Sequence, residues 1–166
     1  AFTSSGATAL SSDGTKLFVI DSYAHGGGGG GGGGGGTPIT RVKVVNTTTG
    51  ATTTVFTDNS EAPEFSGGIS GVALSTNDDV LYVSDADKHT IRAFTVPSDV
   101  ANGGSLTLRT DVVAGVTDSP GFVNGSRGIG KLNRPMGIAV ASVSGEDAIF
   151  VADSDNRAIR VITDVS

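Results

Sequence analysis

The sequence predicts an all-β fold built from repeated four-stranded antiparallel units, and three observations carry that prediction. Val, Ile and Thr dominate the ordered-looking stretches while Leu is sparse, and β-branched side chains suit a pleated strand better than a helix. No window of helical length places apolar residues at i, i+3, i+4 and i+7. Similar segments also open at Gly6, Gly71 and Gly137, 65 and 66 residues apart, and a fixed period of this kind marks a repeat architecture.

Within the first unit, strands are expected over 6–11, 16–22, 41–45 and 52–56, with Asp13-Gly14 as turn chemistry between the first two. The second unit offers 71–75, 80–85, 90–94 and a fourth strand over 106–113, with Asn77-Asp78-Asp79 as its first turn. The third offers 137–141, 148–154 and 158–162, turning at Gly145-Glu146-Asp147. Four short antiparallel strands per repeat describe a β-propeller blade. The expected blades cover about 6–57, 68–115 and 135–166, the last lacking its fourth strand, so the chain is expected to form a partial ring. Gly26 to Gly36 form an unbroken glycine run between the second and third strands of the first blade. It is an insertion in one hairpin loop, with no side chain to pack.

Composition narrows the function classes. The net charge is −6 and the eleven basic residues are scattered, which argues against a nucleic-acid partner, whose phosphates call for clustered cations. No apolar run approaches the length of a spanning helix, so membrane insertion is not expected. Cysteine is absent, which removes disulfides, thiolate metal sites and cysteine nucleophiles.

Few residues offer chemistry. His25 and His89 are the two histidines, and neither belongs to a ligand-spaced pair, so no metal and no cofactor are expected. No serine sits on a nucleophile elbow with a base in reach. Asp21, Asp85 and Asp153 recur at equivalent positions after the second strand of each unit. They are expected to cap the following turn, although a ring of carboxylates for calcium is a second reading. Lys43, Arg92 and Arg160 recur on the third strand and are expected to face outward or to bond between blades. Asn46-Thr47-Thr48 and Asn124-Gly125-Ser126 are N-glycosylation acceptors, making Asn46 and Asn124 the candidate modification sites. In a meander the second turn and the connection to the next blade share one end. The glycine insertion and the Asp118-to-Pro135 connection therefore define a face of longer loops suited to binding.

One stretch carries a more specific pattern. Val113-Ala114-Gly115, Gly121-Phe122-Val123-Asn124-Gly125 and Gly130-Lys131-Leu132-Asn133-Arg134-Pro135-Met136-Gly137-Ile138-Ala139-Val140 come in order. Ile149 to Asp153 and Asn156 to Ile162 complete it. This stretch resembles the NHL-repeat family of β-propellers. Asn124 stands where that family often has Asp and Leu132 where it often has Phe, and the first two units lack the Gly-Phe-x-Asn-Gly loop. The resemblance implies a closed ring of about six blades, completed by further blades or by other protein chains. Two functional classes follow, the first from the repeat, the missing catalytic groups, the Thr- and Ser-rich loops and the acceptor tripeptides, the second from the resemblance. One is a non-catalytic structural or interaction scaffold, expected at the cell surface or outside the cell in a glycoprotein assembly such as a filament. The other is a fragment of a metal-dependent lyase or lactonase, whose ligands at the channel mouth are not recognisable in this sequence. An intracellular protein-binding adaptor is a third reading.

Overall fold

The computed structural model describes residues 5–24, 38–57, 68–109, 112–163 and 165. His25 and the glycine run lie outside the described residues. Three antiparallel sheets succeed one another along the chain. The first contains β1 (Ser5–Leu10), β2 (Lys16–Ala24), β3 (Pro38–Asn46) and β4 (Thr52–Thr57), paired in that order. In the second, β5 (Ile69–Leu74), β6 (Val80–Asp85) and β7 (Thr90–Thr95) pair in sequence, and both β8 (Thr107–Leu108) and β9 (Ala114–Gly115) lie on the far edge of β7. The third holds β10 (Pro135–Val143), β11 (Glu146–Asp153) and β12 (Ala158–Ile162). The only helical pieces among the described residues are single 3-10 turns at Val100–Asn102 and Ser154–Asn156.

Two details depart from the sequence expectation. The fourth strand of the second unit is split. Arg109 N–H donates to the Ala93 carbonyl at 2.9 Å and Val113 N–H to that of Ile91 at 2.8 Å. The expected strand over 106–113 is thus represented by two short stretches of ladder on one edge of β7. The first turn of the third unit is also tighter than expected. Val143 pairs with Glu146, leaving Ser144 and Gly145 as a two-residue turn with φ of 55° and 88°. Positive φ at both positions is the primed hairpin geometry that matches strand twist, so Glu146 and Asp147 already belong to β11.

Strand alternation sends side chains to both faces of every sheet. Phe18, Ile20, Val42 and Val44 of the first sheet meet Leu81, Val83 and Phe94 of the second. On the opposite face of that second sheet, Tyr82, Ile91 and Ala93 meet Ile149 and Val151 of the third. The second sheet is therefore covered on both sides, and every residue of β6 is buried. Complete burial of side chains such as Leu81 and Phe94 contributes about 1.5–3 kcal/mol each.

Polar clasps repeat at the rim. Asp78 of the second unit accepts from the Ser12 N–H and hydroxyl of the first at 2.8 and 2.6 Å. Asp147 of the third unit accepts from the Thr76 hydroxyl of the second at 2.6 Å, and from its N–H at 3.2 Å. Asp13 instead serves its own turn. Its Oδ1 accepts from the Ser11 hydroxyl, the Thr15 N–H and the Thr15 hydroxyl at 2.6, 2.8 and 2.8 Å.

Those bonds, that from Ser11 first, hold the Asp13 carboxyl well below the usual carboxylate range. Its stabilisation of the turn is therefore fully present above the ordinary Asp pKa of about 3.9 and is lost as pH falls through the lowered value. A carboxyl-detected NMR titration is expected to give Asp13 an unusually acidic midpoint, moved upward by Ser11→Ala. Gly115 has φ +88°, and a Cβ there would run into the His89 carbonyl oxygen. Gly115→Ala is expected to cost well over about 1 kcal/mol in a denaturant melt.

Candidate functional site

The recurring aspartates lie on the second strand of each sheet, at its end in the second and third sheets and three residues before its end in the first. Asp21 faces Arg41, Asp85 faces Thr90 and Asp153 faces Ala158. All three are buried. Two residues further along the return strand sit Lys43, Arg92 and Arg160, each opposite a valine. Contrary to the sequence expectation, these cations are not outward-facing. Lys43 and Arg92 are buried, and Lys43 Nζ pairs with Asp21 Oδ2 at 2.5 Å inside its own sheet. Arg160 pairs in the same diagonal sense with Asp153 Oδ2 at 3.0 Å. A carboxylate taken out of water needs such a partner, and the register supplies one within the same hairpin.

Among the described residues, turn capping of the expected kind is seen at Asp85. Asp85 Oδ1 accepts the Lys88 N–H at 3.0 Å. Asp153 has a wider set of bonds, accepting from Asn133 N–H at 2.6 Å, Asn156 Nδ2 at 2.8 Å and Arg160 at 3.0 Å. It thereby joins the chain entering β10, the inner turn and the third strand. No group of three or more His, Cys, Asp or Glu side chains converges among the described residues.

Arg160 holds the Gly-Phe-x-Asn-Gly loop in place. Its second guanidinium nitrogen donates to the Val123 carbonyl at 3.0 Å and to Asn124 Oδ1 at 2.6 Å, while the first also reaches the Lys131 carbonyl at 3.2 Å. The Phe122 ring lies over the guanidinium, 4.9 Å from its carbon, a cation–π contact. Asn156 Nδ2 closes the far side of the loop on the Gly121 carbonyl at 2.8 Å. A planar fork with five donors spans this loop and a point charge does not.

Beside this loop and β12 lies a cavity of about 870 Å3, whose lining includes Phe122, Arg127, Lys131, Ile159 and Val161. Its position explains it. The corresponding edge of β3 carries β4 and that of β7 carries β8 and β9, whereas β12 pairs with β11 alone among the described residues. The cavity is the slot beside an uncovered strand edge.

The other sequence candidates are dispersed. Asn46 ends β3, and its Oδ1 accepts the N–H groups of Thr48 and Thr49 at 3.0 and 3.1 Å, displaying an exposed Thr-rich turn. Asn124 is exposed, with its oxygen engaged by Arg160. His89 occupies a left-handed turn position with φ 59°, as Arg157 does with φ 55°, and its Nδ1 accepts the Arg134 N–H at 3.1 Å. Lys88 pairs with Asp118 at 3.0 Å, which ties the connection after the second blade to the inner turn of that blade. The clasp residues Ser12, Asp78, Thr76 and Asp147 went unrecognised in the sequence.

No family model matches the sequence, and no curated protein matches it. Solved structures do. An auxiliary nutrient binding protein from Bacteroides ovatus aligns over 98% of this chain with a TM-score of 0.64 and 17% identity. One from Bacteroides thetaiotaomicron aligns over 99%, with a TM-score of 0.63 and 13% identity. The fold is a partial β-propeller. Hydrazine synthase of Kuenenia stuttgartiensis shares it, at a TM-score of 0.62 and 13% identity over 98% of the chain. This chain spans 46% of the length of each of these structures. At such identities the likeness shows the propeller fold alone.

Asp153→Ala is expected to destabilise the protein by about 3–5 kcal/mol, because it leaves the partly buried Arg160 charge and two further donors without their carboxylate. Arg160→Lys keeps a cation for Asp153 but forfeits the fork. It is expected to raise amide exchange across 121–131 with a smaller fall in thermal midpoint.

Proposed function

We propose that this chain is a non-catalytic, NHL-like propeller module that serves as a structural or interaction scaffold in an extracellular or cell-surface glycoprotein assembly. One observation carries the reading. In the segment that resembles the NHL family, the polar side chains Asn124, Asp153, Asn156 and Arg160 are consumed in binding one another and the loop backbone. They do the work of shape, and a substrate site needs polar groups aimed at the substrate. The Thr-rich turn at Asn46 supports the glycoprotein part, since the half-buried Asn46 that carries the acceptor amide leads into Thr47 to Gly50, which are exposed. No helix among the described residues is long and apolar enough to cross a membrane. The partners in this reading are protein units and covalent glycans.

The intact mass of the chain isolated from its natural source is expected to fall on glycosidase treatment. Peptide mapping is expected to place the lost mass on the peptide containing Asn46. An unmodified chain would remove the glycoprotein part. Stoichiometric bound metal together with lactone or ester turnover would replace the scaffold reading with the enzymatic one.

A further inference from the structure

Asparagine is followed by glycine at two places in the chain, Asn102-Gly103 and Asn124-Gly125. Glycine has no Cβ, so it leaves its peptide nitrogen unshielded. That nitrogen can attack the carboxamide of the asparagine before it. All four residues are exposed, so access to water does not separate the two pairs. Their surroundings do.

Asn124 is held. Its Oδ1 accepts from the Arg160 guanidinium at 2.6 Å. The loop also closes over the following glycine, where an added Cβ would lie 2.9 Å from Ile129 Cγ2. Asn102 has neither restraint. Its side chain makes no hydrogen bond among the described residues. Gly103 has φ 113°, and nothing lies within 4 Å of an added Cβ there. The 3-10 turn that it follows is also left uncapped. In the other 3-10 turn the capping Arg157 N–H donates to the Ser154 carbonyl, whereas the Gly103 N–H makes no bond of this kind. The N–H groups on either side of it, those of Asn102 and Gly104, both donate to the Asp99 carbonyl, at 2.8 and 3.1 Å. The nitrogen between them is the unengaged one.

We propose that Asn102-Gly103 is a site of spontaneous deamidation, and that Asn124-Gly125, the same dipeptide, is protected by its bond to Arg160. The Gly103 nitrogen gives its proton to solvent and bonds to Asn102 Cγ. The Cγ–Nδ2 bond breaks, and Nδ2 leaves as ammonia after taking a proton from solvent. Water then opens the succinimide ring at one of its two carbonyls. The product is an aspartyl residue or an isoaspartyl one, whose main chain runs through the side-chain carbons.

The segment altered in this way ties the first two blades together. Val100 is 0% exposed in the core that their sheets share, and the Leu106 N–H donates to the Val55 carbonyl of β4 at 3.1 Å. Asn102 and Gly103 lie between these two anchors. Either product adds a carboxylate three residues from Asp99, and like charges repel. The isoaspartyl form also lengthens the main chain between the two N–H groups that share the Asp99 carbonyl. This chemistry is independent of the scaffold reading.

Mass spectrometry of tryptic peptides from the folded chain, sampled over weeks of incubation at neutral pH, tests the proposal. Cleavage after Arg92, Arg109 and Arg127 puts the two pairs in separate peptides, 93–109 and 110–127. Peptide 93–109 is expected to gain the mass of an amide-to-acid change and to become a substrate for an isoaspartyl methyltransferase. Because Asn124 must first give up a bond to a charged donor, 110–127 is expected to convert about tenfold more slowly. In urea, where both surroundings are lost, the two peptides are expected to convert alike. Asn102→Gln is expected to leave 93–109 unconverted with unchanged circular dichroism. The converted chain, separated by its added charge, is expected to exchange the Leu106 amide faster than the unconverted one. A folded chain whose 93–109 stays intact while urea releases its conversion overturns the proposal, as does one in which 110–127 converts as fast as 93–109.

Discussion

A sheet whose strands are apolar on both faces is stable only between two covers, and the rest of this protein is organised around meeting that demand. The second sheet meets it fully. β6 is buried along its whole length because Phe18, Val42 and Val44 lie on one side and Ile149 and Val151 on the other. Stacking like units supplies a cover without new chemistry, since the surface that each unit presents is the surface its neighbour needs. The cost is that the demand passes to the ends of the stack.

Full burial on both faces creates a second problem, which the charge pairs solve. The inner hairpin of each unit needs a polar residue to make its turn, and that residue lies where water is excluded. In the first and third units the diagonal cation on the return strand, Lys43 or Arg160, resolves the conflict within the same hairpin. In the third unit the solution is extended. Arg160 neutralises Asp153 and binds the loop from Gly121 to Lys131 at once, so the connection between units is fixed by the residue that balances the turn.

Much of the fold was legible because the repeat made each strand visible three times. The turn aspartates were visible for the same reason. Their partners were not. Lys and Arg are ordinarily exposed, and that expectation outweighed a signal that was present: the cation comes seven residues after the aspartate in both uninterrupted units, 85 to 92 and 153 to 160. The insertion stretches this interval in the first unit and hides it. The clasps were harder to find, because Asp78 lies in a turn whereas Asp147 lies on β11, and both act across units. The split of the fourth strand could not be foreseen, since nothing in the run from Leu106 to Val113 marks where its pairing with β7 changes.

Among the described residues β12 carries a single ladder, and this bears on how they come apart. A strand bonded along one edge and half-exposed on its face opens at little cost, whereas β6 can be exposed only by displacing a sheet on either side. Unfolding of the isolated chain should therefore begin with the release of β12 and spread inward. The ion pair of Arg160 with Asp153 is the first barrier met, and the middle sheet is the last part to surrender its amide protons.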